Sequence, residues 1–252
     1  MLDRERIVAQ LQHSPYEQGL ILGDCADSTN LKVKEMAQHG AAEGVTLIVD
    51  RQTGGRGRLG RSFHSPEGGL YLSTLLRPTD TNPGHVTCRA AVAAARAIES
   101  LCDAVVDVKW VNDLYLNGRK LAGILAEGVF SPDGHLTAVV LGIGINVGVT
   151  EFPAALQAIA TSLGNEGFHL AREDVAAAFL NEWHRAYGED TTCVMAEYRR
   201  RNLVLGRQVT VVQGNRTYTA TAESITDDGY LVVCTTQGDR CTLSSGEVSI
   251  RL

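Results

Sequence analysis

The chain has no stretch approaching the ~18 apolar residues of a membrane span. Its N-terminus, Met1-Leu-Asp-Arg-Glu-Arg-Ile-Val-Ala-Gln, carries no apolar signal core. Both absences lead to the expectation of a cytoplasmic protein with no membrane partner. No C-x-x-C and no Cys/His ligand cluster occur. The six cysteines (Cys25, Cys88, Cys102, Cys193, Cys234, Cys241) are widely and irregularly spaced. That disfavours a structural zinc and a disulfide framework, so reduced thiols, partly in the core, are expected. There is no G-x-x-x-x-G-K-[ST] and no G-x-G-x-x-G opening a helix after a strand, so neither a Walker A loop nor a dinucleotide fingerprint is present. No G-x-S-x-G elbow occurs either, and a covalent-nucleophile mechanism lacks a candidate. No aromatic residues are interleaved with the arginine-glycine run at 54–61, and net charge is −6. Neither suits a general nucleic-acid binder. Internal repeats and low-complexity tracts are missing.

What is present is an ordinary globular composition over 252 residues, 44% hydrophobic and 21% charged. That length accommodates one large domain and one small one. A domain of ~200 residues buries roughly 70% of its unfolded surface and needs no covalent staples.

The pattern along the chain is α/β. Residues 3–13 read as a short helix with Ile7, Val8 and Leu11 on one face, and 20–22 as a strand. Asp27-Ser28-Thr29-Asn30 predicts a helix start, since each side chain can accept from a free backbone N–H; the helix should run to about His39. Buried strands are expected at 45–49 and 70–76. Val86, Ala90, Ala93, Ala94, Ala97 and Leu101 recur at helical spacing, giving an amphipathic helix over about 85–102.

Strands at 105–110, 114–116, 120–129 and 136–147 then follow, separated by Asn112-Asp113, Asn117-Gly118 and Pro132-Asp133-Gly134. Asn-Gly and Asp-Gly are hairpin signals, so this sheet is at least partly antiparallel and not plainly doubly wound. Helices are expected at 153–160, 171–187 and 191–200. Beyond Leu205 the texture changes to five short strands (209–212, 217–223, 230–235, 241–243, 248–250), with turns at Gln213-Gly-Asn, Asp227-Asp-Gly and Gln237-Gly-Asp. This predicts a small barrel. The expected division is residues 1–204 and residues 205–252.

Three clusters carry chemistry. The first is Gly54-Gly55-Arg56-Gly57-Arg58-Leu59-Gly60-Arg61, three arginines among four glycines in eight residues. Glycine lets backbone approach a ligand closely, and arginine pairs bidentately with carboxylate or phosphate. On an acidic body such a loop suits a small anionic ligand; the alternative is a solvated basic turn. Its glycines also suggest a mobile, lid-like element. The second cluster runs from Lys109 to Glu127. It holds two lysines, Lys109 and Lys120, across a tight turn, with Asn112 and Asp113 offering oxygens to a hard cation. A strand lysine such as Lys120 more commonly points to solvent. The third, Gly142-Ile143-Gly144-Ile145-Asn146, could simply be a glycine-bearing central strand.

Together these clusters resemble the biotin protein ligase family (biotin–[acetyl-CoA-carboxylase] ligases). The resemblance runs from Asp27-Ser-Thr-Asn through Gln52, Gly55–Arg61, Lys109-Trp-Val-Asn-Asp113, Gly118–Leu125 and Gly142–Asn146 to Ser245-Gly-Glu-Val-Ser249, in order. It implies a mixed, largely antiparallel sheet with helices, α+β and like class II aminoacyl-tRNA synthetases, followed by an SH3-like C-terminal barrel. It implies a catalytic biotin/ATP domain over 1–204 and ATP-dependent biotinylation of one lysine on biotin carboxyl carrier protein, through biotinyl-5′-AMP. Mg²⁺ would accompany the ATP.

The roles it implies are as follows. Ser28, Thr29, Asn30 and Gln52 would hold biotin, with Gly55, Arg56 and Gly57 closing over it and Gly123 packed against it. Arg58 and Arg61 would hold phosphate oxygens. Lys120 would bridge the biotin carboxylate and the α-phosphate, making Lys120 and Arg58 the catalytic pair. Lys109, Asn112, Phe63 and Asn146 would serve ATP, Phe63 by stacking on adenine, and Asp113 would serve the metal. Val111 stands where the family usually has proline; that removes a φ restraint but no chemical group. Many members carry an N-terminal DNA-binding domain, for which the stretch before Asp27 leaves no room, so no DNA partner is expected. The resemblance implies homodimerisation through the sheet, although the sequence offers no apolar edge for it. Alternatives are a lipoate or octanoate ligase of the same fold, against which the arginine loop and the Lys109–Lys120 spacing weigh, and a non-catalytic biotin- or nucleotide-binding protein.

Overall fold

A computed structural model describes residues 2–12, 16–77, 82–213, 216–244 and 247–249. Ser245 and Gly246 of the last motif, the tip of the 213–215 turn, residue 250 and the end of the 3–13 helix lie outside the described residues.

Helix α1 (Arg4–Val8) is capped by the Asp3 carboxylate, which accepts from the Arg6 backbone N–H. Strand β1 (Leu20–Ala26), helix α2 (Thr29–Gln38) and strand β2 (Thr46–Gln52) follow. The chemistry-bearing loop separates β2 from β3 (Leu70–Leu76). All seven β3 residues are buried, as befits a strand at the centre of the sheet. Helix α3 (Pro83–Leu101) starts at Asn82, whose side chain accepts from Gly84 N, with Pro83 in the first turn. Strands β4 (Asp107–Lys109), β5 (Asp113–Leu116), β6 (Arg119–Phe130) and β7 (Leu136–Ile145) complete a seven-stranded sheet of order β1-β2-β3-β7-β6-β5-β4. Only β1 and β2 pair in parallel. The mixed, largely antiparallel α+β class expected from the sequence is the one observed.

Helices α4 (Arg172–Gly188) and α5 (Thr191–Arg201) pack on α3. The α3 surface is built of buried alanines (Ala90, Ala91, Ala94, Ala95), whose small side chains let its neighbours approach closely. Trp183, Phe179 and Tyr198 are fully buried against it. Each of them is worth roughly 1.5–3 kcal/mol of burial, so this layer holds the sheet rigid beneath the site.

No helix covers 153–160. That stretch is a set of turns closed by Leu156 N to Pro153 O and Ala160 N to Leu156 O, and it ends in a bridge between Ala160 and Lys120. Lys120 N donates to Ile159 O and Thr161 N to Lys120 O. The backbone at 159–161 is thus extended along β6 and cannot close a helix.

Strands β8 (Gln208–Gln213), β9 (Arg216–Ile225), β10 (Leu231–Thr235), β11 (Arg240–Leu243) and β12 (Glu247–Ser249) form a separate antiparallel sheet of order β11-β10-β9-β8-β12. It is the small SH3-like unit expected. Its inner residues, Val209, Val211, Ala222, Leu231 and Val233, join the same hydrophobic core as the main sheet. Leu203 N donates to Val108 O, tying the junction to β4. Among the described residues no helix is long and apolar enough to cross a membrane, and all six cysteines are free.

Candidate active site

One cleft collects the sequence clusters. Its walls are the loop after β2, the N-terminus of α2, the β4–β5 hairpin, the start of β6, the glycines of β7 and, from the small domain, Val248 of β12. Five of its lining side chains are basic (Arg56, Arg58, Arg61, Lys109, Lys120) and one is acidic (Asp113). On a chain of net charge −6, this is a strong local reversal of sign.

The loop folds as a small hairpin. Thr53 N and Gly54 N donate to Ala26 O and Asp27 O, at 2.9 and 2.8 Å. Gly57 N donates to Arg61 O, and Arg56 pairs with Ser62. Arg58–Gly60 is a 3₁₀ turn, with Leu59 at φ 57°. Gly55 is a packing requirement rather than a hinge: a Cβ there would lie 2.4 Å from Phe63 O and 2.5 Å from Ser65 Oγ. The turn carries Arg58 inward. Nη1 donates to Asn112 Oδ1 at 3.3 Å. Burial pushes the Arg58 guanidinium below its ordinary value, and the nearby Asp113 charge only partly offsets this. A half-buried cation with one weak, neutral acceptor is poised for an anion.

At the α2 terminus the roles differ from simple capping. The Ser28 side chain makes no capping bond. Instead Gln52 Oε1 accepts from Thr29 N at 2.8 Å and from Thr29 Oγ1 at 3.1 Å, while Gln52 Nε2 donates to Ser65 Oγ at 3.0 Å. Ser73, fully buried on β3, lies 2.7 Å from Thr29 Oγ1 and 2.6 Å from Asn30 Oδ1. Asn30 Nδ2 donates to Leu125 O and Glu127 Oε2, and Glu127 Oε1 receives Lys34 Nζ at 2.7 Å. Burial opposes ionisation of Glu127, but bonds from Lys34 and Asn30 outweigh it and hold its pKa below the usual carboxylate range. Donors and acceptors are therefore oriented before any ligand arrives.

On the opposite wall, Lys120 Nζ lies 2.6 Å from Asp113 Oδ1. Lys120 lines the cleft, with its side chain 32% exposed. Asn112 Nδ2 donates to Ile124 O, and Lys109 Nζ to the Tyr115 hydroxyl at 3.4 Å. The hairpin tip is held from behind by Trp110 Nε1 to Gly229 O (2.9 Å) and by the Tyr198 hydroxyl to Val111 O (2.8 Å). The small domain thus supports the tip as well as lending Val248.

Of the expected site residues, the structure brings Ser28, Thr29, Asn30, Gln52, Arg56, Gly57, Arg58, Arg61, Phe63, Lys109, Asn112, Asp113, Lys120 and Gly123 to this one cleft. Gly55 packs beneath it. Asn146 is not brought there: it is buried, and its side-chain amide donates to Thr161 O at 2.9 Å. Phe63 lies flat on the glycine floor. A Cβ at Gly144 would meet its ring at 2.5 Å and one at Gly123 at 3.0 Å. In this conformation the ring covers the surface expected to receive biotin. Sequence reasoning assigned no role to Ser73, Glu127 or Val248. For Ser73 the signal was present, a small hydroxyl pair, Ser73-Thr74, in the otherwise largely apolar strand Leu70-Tyr-Leu-Ser-Thr-Leu-Leu76.

Two family models match the chain: the Biotin/lipoate A/B protein ligase family over residues 22–146 and the Biotin protein ligase C terminal domain over 204–251. The Biotin--[acetyl-CoA-carboxylase] ligase of Mycobacterium tuberculosis is 34% identical over 239 residues, spanning 88% of this chain and 85% of that protein. The Bifunctional ligase/repressor BirA of Bacillus subtilis is also 34% identical, over 88% of this chain and 71% of its own length. Among solved structures, the biotin protein ligase of Aquifex aeolicus in complex with biotin and ATP superposes with a TM-score of 0.81 at 30% identity, covering 93% of this chain and 99% of that one. A cleft assembled from these motifs, on a fold shared with these relatives, places the chain in the biotin protein ligase family, and the protein is a ligase.

Proposed function

We propose that this protein couples ATP to the biotinylation of a lysine on a biotin carboxyl carrier protein, through biotinyl-5′-AMP. The observation that supports this most is the convergence of Lys120, Arg58 and the Thr29–Gln52 network on one cleft with a single carboxylate. Joining a carboxylate to an α-phosphate forces two anions together, and fixed cations in a partly dry site are what that step needs.

In the first step the biotin carboxylate oxygen attacks the α-phosphorus of ATP. The P–O bond to pyrophosphate breaks, and biotinyl-5′-AMP and pyrophosphate form. Gln52, Thr29, Ser28 and Asn30 hold the ureido ring, and Lys120 leaves Asp113 to lie between the carboxylate and the α-phosphate. Arg58 and Arg61 meet phosphate oxygens. Phe63 leaves Gly123 so that the ring system can pack there, and Arg56 closes the loop over it. In the second step the carrier lysine's neutral ε-amine attacks the acyl carbonyl. An amide forms, AMP leaves with the bonding pair, and the amine proton is lost. The hairpin over the acyl phosphate keeps water out until then.

Mg²⁺ suits the donors here. Among the described residues no cluster of three acidic, His or Cys ligands exists, and Mg²⁺ commonly takes one or two carboxylates plus substrate phosphates. Asp113, with the Asn112 amide oxygen beside it, would hold the ion, which supplies charge neutralisation at the phosphates.

The test offers biotin, lipoate and octanoate in turn, with Mg·ATP and a carrier fragment, and follows the acceptor by mass and by streptavidin blot. Labelling by biotin alone is expected. Labelling only by lipoate or octanoate, or none with biotin, contradicts the proposal.

A further inference from the structure

Glu166 lies behind the cleft, in the 3₁₀ turn Gly164–Glu166, and takes no part in the chemistry above. Its side chain is only 8% exposed. Oε1 receives Thr161 Oγ1 and Arg119 Nη2, each at 2.5 Å, and Oε2 receives Asn117 Nδ2 at 2.7 Å. Burial works against the charge on Glu166, but the bonds from Thr161 and Asn117 and the charge of Arg119 hold its pKa below the usual carboxylate range.

Those three donors have a common neighbour. Asn117 and Gly118, at φ 49° and 76°, form the two-residue turn between β5 and β6. Arg119 is the first residue of β6, and Lys120 is the next. Thr161 belongs to the strap on the other side, where Lys120 N donates to Ile159 O and Thr161 N to Lys120 O. Glu166 is therefore one carboxylate that fastens the turn to the strap, and Lys120 is the backbone held between them.

We propose that Glu166 is a positioning residue for Lys120. The inference rests on the role assigned to Lys120 above. It acts through place, not contact: Glu166 bonds Asn117 and Arg119 just before Lys120 and Thr161 on the strap beside it, and Lys120 Nζ bonds Asp113. A displacement of about 1 Å at a reacting cation can cost on the order of 10²-fold in rate.

The experiment measures biotin-dependent adenylate formation in Glu166→Ala, Glu166→Gln and Thr161→Val, with thermal melts to keep each assay below unfolding. For Glu166→Ala, kcat should fall roughly 10- to 10²-fold while KM for biotin and for ATP stay within about threefold. Glu166→Gln keeps the shape and an acceptor for Arg119 and Thr161, and the Asn117 amide can turn to accept from it, so most of kcat should return. Thr161→Val removes one donor and should show the same split, smaller; if Glu166→Ala does not fold, this variant decides. An unchanged kcat, a parallel loss in kcat and both KM values, or a Gln variant no better than Ala overturns the inference. Lys120→Ala is run alongside. If it retains adenylation, the reading of Lys120 itself fails. If it is dead while Glu166→Ala is normal, only the positioning role fails.

Discussion

Arg96 and Arg201, in the helical layer, each meet two carboxylates: Arg96 pairs with Glu189 and Glu197, and Arg201 pairs with Glu99 and Glu197. Arg201 grips Glu99 with both terminal nitrogens, at 2.7 and 2.8 Å. Arg58, in the cleft, has the weak Asn112 bond and a nearby Asp113 that is already bonded to Lys120. Both regions are rich in arginine and partly buried. With Arg200 also beside Glu197, the first sets three arginines against three glutamates, and its bonds to Glu189 raise the Arg96 pKa. The second is not so balanced, and burial lowers the Arg58 pKa. A closed network holds helices together; an open one waits for an anion. The partner count, more than the number of arginines, separates architecture from function here.

Substitutions should break the two regions differently. The largest effect is expected for Lys120→Ala. Removing the cation proposed to bridge the two reacting anions should cost on the order of 10³–10⁵ in adenylation rate, with little change in melting temperature. Isothermal titration should still show biotin binding. Arg58→Ala should lower kcat by about 10²–10³, the usual cost of one charge-stabilising donor. Because a partly buried cation with only a weak neutral acceptor is removed, its Tm should hold or rise.

Arg96→Ala should do the reverse. Adenylation below the melting temperature should stay within about twofold of the parent. Stability should fall by about 1–3 kcal/mol, between the values for exposed and buried pairs, which is a Tm drop of roughly 3–8 °C. A calorimetric scan and the same kinetic assay test both halves.

The smallest effect is in the pH dependence of that loss. Glu99, Glu189 and Glu197 are all held below the ordinary glutamate value of 4.5: bonds from Arg96 do most for Glu189, bonds from Arg96 and Arg201 overcome burial at Glu197, and bonds from Arg201 and the Val106 N–H overcome it at Glu99. A carboxylate with a depressed folded-state pKa adds stability above its unfolded value and loses it as pH falls through the folded one. The Tm gap between parent and Arg96→Ala should therefore be full at pH 6–7 and narrow below about pH 4.5.

How far the sequence could be read depended on the range of each contact. The Gly55–Arg61 loop, Lys109–Asp113 and Gly118–Leu125 are contiguous, so their chemistry was legible, and the cleft contains nearly all of it. Ser73 and Glu166 act through partners more than 40 positions away, Asn30 and Arg119, and one sequence carries no pairing signal for them. The 153–160 segment has helix-compatible residues, but the Lys120 bridge outweighs that local preference. The resemblance implies a nucleotide contact for Asn146; in the structure its amide bonds Thr161 O, on the strap that also holds Lys120.

The central claim is that one cation-rich cleft activates a carboxylate with ATP before any acceptor arrives. Exchange of labelled pyrophosphate into ATP, measured without carrier protein, tests it most directly. The parent should exchange only when biotin is present, and Lys120→Ala should not exchange at all. Exchange that ignores biotin, or that survives the loss of Lys120, would contradict the account.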